Sequence, residues 1–152
     1  VLTAVLIALA TLFTMYTKIP VPGIRGYFNV GDVVIMTSAL LLGRKYGAYI
    51  GAIGPALADL FLGYAVFVPI TFVVKGIEGY LVGTVYNNKT TTSALVATIV
   101  GGIVIVAGYF IAEYFVFDPG VAIASILTNT IQAVMSVIVS MILYAILRKR
   151  LG

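Results

Sequence analysis

Apolar residues fill this chain in long blocks interrupted by short polar breaks. The blocks run over Val1–Tyr16, Val30–Gly43, Tyr46–Leu62, Val66–Tyr86, Ala94–Phe115 and Val121–Leu147. Runs this long, with no period-two alternation, predict membrane-crossing helices and argue against a transmembrane barrel. Lys18–Gly26 holds two prolines and two glycines, so it predicts a loop of real size. Arg44-Lys45 mark the end of the second block, Asn87–Ser93 is a polar connector where both neighbouring helices stop, Asp118-Pro119-Gly120 predicts a turn, and Arg148-Lys149-Arg150 close the last block. The first block could be taken for a signal peptide, but it has no basic flank and no small-residue cleavage pattern, so it reads as a span. The expectation is an all-α polytopic membrane protein of six helices forming a single domain over residues 1–152.

Within the blocks, spacing separates packing faces from polar ones. Small residues four apart let helix backbones approach in lipid. Ala4-x-x-x-Ala8, Gly47-x-x-x-Gly51 with Gly54 and Ala58, and Gly108-x-x-x-Ala112 follow that rule. Each reads first as contact inside the bundle; for Ala4 and Ala8, on an end helix, contact with another protein is the alternative. Ser125, Asn129, Gln132, Ser136 and Ser140 fall on one helical stripe, as do Thr71, Lys75 and Glu78. Polar side chains at membrane depth are costly and face a cavity or each other. For Lys75 and Glu78 the plain alternative is a local ion pair that neutralises itself.

Composition sharpens this picture. The chain is 62% hydrophobic and 9% charged over 152 residues, where soluble domains carry about a quarter charged residues. Six spans of about 20 residues leave no room for a second soluble domain or a nucleotide-hydrolysing module within this sequence. The net charge of +4 would suggest nucleic acid in a soluble protein, but here it fits cytoplasmic flanks. With both termini in the cytoplasm, Arg44, Lys45, Lys89, Arg148, Lys149 and Arg150 lie inside and only Lys18 and Arg25 outside. Ten tyrosines and no tryptophan assign the interfacial belt to Tyr. Cysteine and histidine are absent, which removes thiolate chemistry and the usual zinc, haem and triad ligands.

That orientation gathers Asp59, Glu113 and Asn129 in the outer half, with Lys75 at similar depth and Asn29 and Asp32 arriving from the first loop. A polar cavity open to the outside, with the Pro/Gly-rich loop as a lid, satisfies all of them. Asp32 has a second reading as the N-cap of the second helix, and Asp118 reads as a turn residue. The alternatives are a small intramembrane enzyme using an Asp59/Glu113 carboxylate pair, and a stand-alone carrier or channel. The chain lacks a Gly-x-Ser-x-Gly turn and a phosphate loop, and shows no internal repeat.

The residues Tyr27-Phe28-Asn29-Val30-Gly31-Asp32, Gly51–Leu60, Lys75-Gly76-Ile77-Glu78-Gly79 and Asn129-x-x-Gln132, over six spans, resemble the substrate-binding S components of energy-coupling factor (ECF) vitamin transporters. The resemblance covers essentially the whole chain. It implies a multi-pass protein of the prokaryotic plasma membrane that binds a water-soluble vitamin or precursor. It also implies no cofactor or metal of its own, and work with a transmembrane coupling subunit and two ABC-type ATPases. Ala4 and Ala8 would face the coupling subunit. Within the family the chain looks most like the riboflavin, pyridoxine and hydroxymethylpyrimidine binders, with a small uncharged heteroaromatic alcohol favoured. Lys75, Glu113, Asn129 and Gln132 would then serve as hydrogen-bond partners, Tyr109 and Tyr80 as stacking surfaces, and Asn29, Asp59 and Glu78 as further ligand contacts.

Overall fold

A computed structural model describes residues 1–87 and 89–151; Asn88, part of the polar connector, and Gly152 lie outside the described residues. Six helices form: α1 (Leu2–Tyr16), α2 (Asp32–Leu42), α3 (Arg44–Phe61), α4 (Phe67–Val85), α5 (Thr91–Val116) and α6 (Pro119–Leu151). The loop between α1 and α2 is not wholly irregular. It folds into a two-stranded antiparallel ribbon, β1 (Ile19–Pro20) with β2 (Tyr27–Phe28), pairing Ile19 with Phe28 and Pro20 with Tyr27.

Helix α2 sits at the centre and touches all five other helices. Its residues from Asp32 to Leu40 are all buried, so it has no outward stripe and is apolar nearly all round, as a fully enclosed helix must be. Eleven residues rise only about 17 Å, against a hydrocarbon core of about 30 Å. Three helices are long and apolar enough to cross a membrane: Phe67–Val85, Thr91–Val116 and Pro119–Arg150.

Two expected boundaries move for physical reasons. Arg44 and Lys45 do not close the second helix; they open α3. Gly43 alone joins α2 to α3, at φ +95°, a conformation in which a Cβ would be strained. Asp118 is not a turn residue but the N-cap of α6: its carboxylate accepts from the Val121 amide at 3.0 Å, and Pro119 occupies the first helical position, where a missing N–H costs nothing. At the connector, Thr90 caps α5 by accepting from Ser93 N at 3.1 Å, so the helix begins before the apolar block does.

The small-residue stripe of α3 makes the closest crossing. A Cβ on Gly51 would strike the carbonyl of Lys75, and one on Gly79 would strike that of Gly47. The α3 and α4 backbones therefore touch along this line, which fixes the height of Lys75 in the bundle. On the other side of α3, a Cβ on Gly54 would come within 2.7 Å of Ala10 Cβ, and Thr11 Oγ1 donates to the Gly54 carbonyl at 2.9 Å, locking α1 in place. Pro55 follows in mid-helix; it offers no amide to the Gly51 carbonyl, so the α3 ladder is weakest beside the polar centre.

Gly51→Val forces the α3 and α4 backbones apart. We expect it to cost about 1–3 kcal/mol, read as a lowered Tm of the detergent-purified protein; an unchanged Tm contradicts this crossing.

Candidate functional site

Above the N-terminal end of α2, where a longer helix would have continued, lies a polar cavity. Its floor is a buried network. Lys75 of α4 forms an ion pair with Asp32 Oδ1 at the start of α2; both residues are essentially unexposed. Gln132 Nε2 of α6 donates to Asp32 Oδ2 at 2.7 Å, and Gln132 Oε1 accepts from the Asn29 amide at 3.0 Å. Asn29 Oδ1 in turn accepts from Gly31 N at 2.9 Å, folding the chain back into α2. Helices α2, α4 and α6 thus meet at one carboxylate, and the incoming chain at Asn29 joins them through Gln132.

Two expectations change here. Asp32 is not an N-cap: Gly31 holds that position without a side-chain cap, and the carboxylate points inward to Lys75 and Gln132. Lys75 pairs with Asp32 across the bundle and not with Glu78 on its own helix. Glu78 is fully buried, does not line the cavity, and neither of its oxygens has a hydrogen-bond partner.

The walls come from α3, α4, α5 and α6. Asp59, Thr71, Tyr109, Glu113, Ser125 and Asn129 line the space with Lys75, Asn29 and Gln132. Thr71 Oγ1 and Tyr109 OH share a hydrogen bond of 2.9 Å, and the Lys75 ammonium lies 5.9 Å from the Tyr109 ring centroid. Glu113 Oε2 is enclosed and unpartnered. On the α6 stripe Ser125, Gln132, Ser136 and Ser140 are buried and Asn129 is half-buried, and at its lower end Ser140 Oγ reaches the Val33 carbonyl of α2 at 3.5 Å. Tyr80 is not in the cavity: 43% exposed, it lies under the Arg44 guanidinium at 5.8 Å. Two residues past Glu78, it is turned about 200° away from the polar face.

The roof is aromatic. Tyr27 of the ribbon packs on Tyr64 at 4.9 Å, Tyr64 on Phe67 at 6.4 Å, and Phe67 on Phe117 at 5.5 Å. Lys18 sits over Tyr64 at 4.8 Å and Arg25 over Phe117 at 4.9 Å, so the two cations of the first loop clamp this roof. Tyr27 OH donates to Asp59 Oδ1 at 2.5 Å, tying the ribbon to α3. Burial, and then the charge of Asp59, hold the Tyr27 phenol well above its ordinary range, so it stays a donor. About 30 Å³ remains free beneath, room for a water molecule but not for a ring. The ribbon and the aromatic side chains behind it cover this space.

Of the nine residues expected to contact ligand, Asn29, Asp59, Lys75, Tyr109, Glu113, Asn129 and Gln132 line the cavity, whereas Glu78 and Tyr80 do not. Asp32, expected in the cavity from the first loop, does not line it but anchors the network beneath through Lys75 and Gln132; Tyr27 and Thr71 line it without having been expected to, although Tyr27 opens the quoted Tyr27–Asp32 segment and Thr71 lies on the α4 stripe. Ala4 and Ala8 lie on the exposed side of α1, while Ala10, Thr11 and Thr14 face the bundle.

With this geometry in hand, the likenesses to known proteins are informative. Residues 1–149 match the family model described as ECF-type riboflavin transporter, S component. An uncharacterised protein of Pyrococcus woesei is 41% identical over 145 residues, covering 93% of this chain and 96% of that protein. The thiamine precursor transporter HmpT of Lactococcus lactis subsp. cremoris (strain MG1363) is 30% identical over 149 residues, covering 97% of this chain and 83% of that protein. The solved S component of a bacterial ECF transporter superposes with a TM-score of 0.79 at 22% identity, covering 99% of this chain and 95% of that one, which establishes a shared fold.

Two consequences can be measured. Lys75→Ala leaves Asp32 buried without its cation and should cost about 3–5 kcal/mol, seen as a large fall in Tm; Lys75→Met combined with Asp32→Asn should recover most of it. Tyr27→Phe removes the tie to Asp59 and should speed hydrogen exchange of the ribbon amides about tenfold; equal exchange means another contact holds the roof.

Proposed function

Since the chain belongs to the S-component family of ECF-type vitamin transporters, we propose that its cavity captures hydroxymethylpyrimidine or pyridoxine from outside the cell, with riboflavin the next choice. The observation that carries this reading is the polar cavity under the ribbon, on which hydrogen-bonding side chains from α3, α4, α5 and α6 converge beside the Tyr109 ring; the ribbon acts as a lid that lifts to admit the ligand. The full-length similarity to a thiamine precursor transporter supports the pyrimidine over the flavin. Asn129 and Gln132, together with Glu113 and Lys75, bind the ring's polar edge, and Tyr109 offers it a face. Asn29 and Asp59 hold the lid, and Glu78 supports the floor from behind.

The chain spans the plasma membrane of a prokaryote six times with both ends in the cytoplasm. Arg44, Lys45, Lys89, Arg148, Lys149 and Arg150 support that orientation by the positive-inside bias. Energy comes from a transmembrane coupling subunit with two ABC-type ATPases. The exposed Ala4 and Ala8 stripe on α1 meets the coupling subunit, because small side chains allow a helix of the partner to approach closely.

Mass spectrometry of the small molecule that co-purifies with the protein tests the reading. Hydroxymethylpyrimidine or pyridoxine supports it; a flavin shifts the substrate to the runner-up; a lipid or peptide turned over by the protein replaces transport with catalysis. Ala4→Leu with Ala8→Leu should abolish uptake in cells while leaving binding by the purified subunit intact. Uptake that persists would show that α1 does not face the coupling subunit.

A further inference from the structure

The cavity is rich in hydrogen-bond acceptors and short of cations. Lys75 is the single cationic side chain among its described lining residues, and Asp32 already takes it. Lys18 and Arg25 are held outside, over the rings of Tyr64 and Phe117. Asp59 and Glu113 therefore face the cavity without a cationic partner. Asp59 at least accepts from Tyr27, whereas Glu113, 3% exposed, has an enclosed Oε2 with no partner at all. A carboxyl oxygen sealed this way is expensive unless something donates to it.

We propose that Glu113 is the specificity-determining residue of this cavity, and that it reads the amidine edge of an aminopyrimidine: the exocyclic amine together with the adjacent ring nitrogen. The inference rests on the reading of the chain as a binder of a small heteroaromatic vitamin precursor. A carboxyl group presents two oxygens in a plane, and an amidine edge presents two nitrogens at matching spacing. The amine donates to one oxygen, and one proton shared between the other oxygen and the ring nitrogen completes the pair. Oε2 then gains the donor it lacks.

The same geometry selects against other rings. A flavin's pyrimidinedione edge sets two carbonyls around one N–H, which would press lone pairs against the carboxyl oxygens. Pyridoxine offers a ring nitrogen but no neighbouring amine, so it fills half of the pair. A site built around a hydrogen bond rejects the analogue that lacks it, because the site's own group is left unsatisfied.

The test is a cycle between ligand and protein, measured by calorimetry on the full chain in nanodiscs after removal of co-purified ligand. The probes are hydroxymethyl-aminopyrimidine and the same molecule with hydrogen in place of the amino group. Wild-type protein should bind the amino compound about 100-fold more tightly than the deamino analogue. In Glu113→Leu, which removes the carboxyl without burying a new polar group, that ratio should fall to within a few-fold of one. Glu113→Gln should keep part of the preference, since an amide carries one acceptor and one donor. Equal binding of the two compounds by wild type, or an undiminished ratio in Glu113→Leu, overturns the inference. Should pyridoxine or riboflavin bind tightly and the aminopyrimidine not, the inference falls while the vitamin-binding reading stands. Should none of these rings bind, both fall. Equal binding by the unmodified protein overturns the inference without any variant, and should Glu113→Leu fail to fold, the ratio in Glu113→Gln decides in its place: an undiminished preference overturns the inference.

Discussion

The buried ion pair between Asp32 and Lys75 is the interaction on which the rest of the arrangement depends. Two charges removed from water regain that loss only when their geometry is good and their remaining hydrogen-bonding capacity is met. Here Gln132 meets the second oxygen of Asp32, and Asn29 meets the other end of Gln132. The α2, α4 and α6 helices, along with the incoming ribbon, are therefore held to one another by a network that fails as a whole if any member shifts. Apolar packing in lipid cannot supply that uniqueness, because a leucine face is nearly as well served by acyl chains as by another helix. The glycine line between α3 and α4 sets the height at which Lys75 delivers its ammonium, so the smallest side chains in the protein determine where its most costly ones meet.

Much of this was legible in the sequence, and the legible part followed from periodicity. The α6 stripe and the Thr71, Lys75 and Glu78 face needed only the helical repeat to be placed inward. Helix positions came from the apolar blocks, with ends displaced where local chemistry beat hydropathy: Thr90 and Asp118 start their helices by capping, and Gly43 reduces the α2 to α3 link to a single residue. What periodicity does not carry is partner choice between distant segments. Lys75 had a carboxylate three residues away and another 43 residues back, and only the packing of α2 into the middle of the bundle selects the second. Tyr80 marks the converse error: an aromatic near the right motif in the sequence, turned to the wrong side of its helix.

The cavity is as much a product of an absent piece of helix as of the residues that line it. Because α2 begins at Asp32 and rises only about 17 Å, the outer part of the bundle has no central column. The space is floored by Lys75, Gln132 and Asn29, which the first residue of α2 holds together from beneath, and roofed by the ribbon that precedes α2. Roof and floor are thus contiguous in sequence, with Tyr27 tied to Asp59 above and Asp32 paired with Lys75 below. A ligand that presses on the floor and a ribbon that closes the roof act on the same six-residue stretch, which gives a direct route by which occupancy and closure inform each other.

The shortness of α2 also bears on how the protein comes to be built. An eleven-residue helix that starts with an aspartate has too little apolar length to partition into a bilayer by itself. Its stable place exists only once the surrounding helices provide a lysine for that aspartate and walls for its sides. Gly43 couples it to α3 with no slack, so α2 is drawn in by a longer neighbour and does not lead the insertion. The helix at the centre of the finished bundle is then among the last to reach its final environment, and the ion pair at its tip reports that assembly is complete.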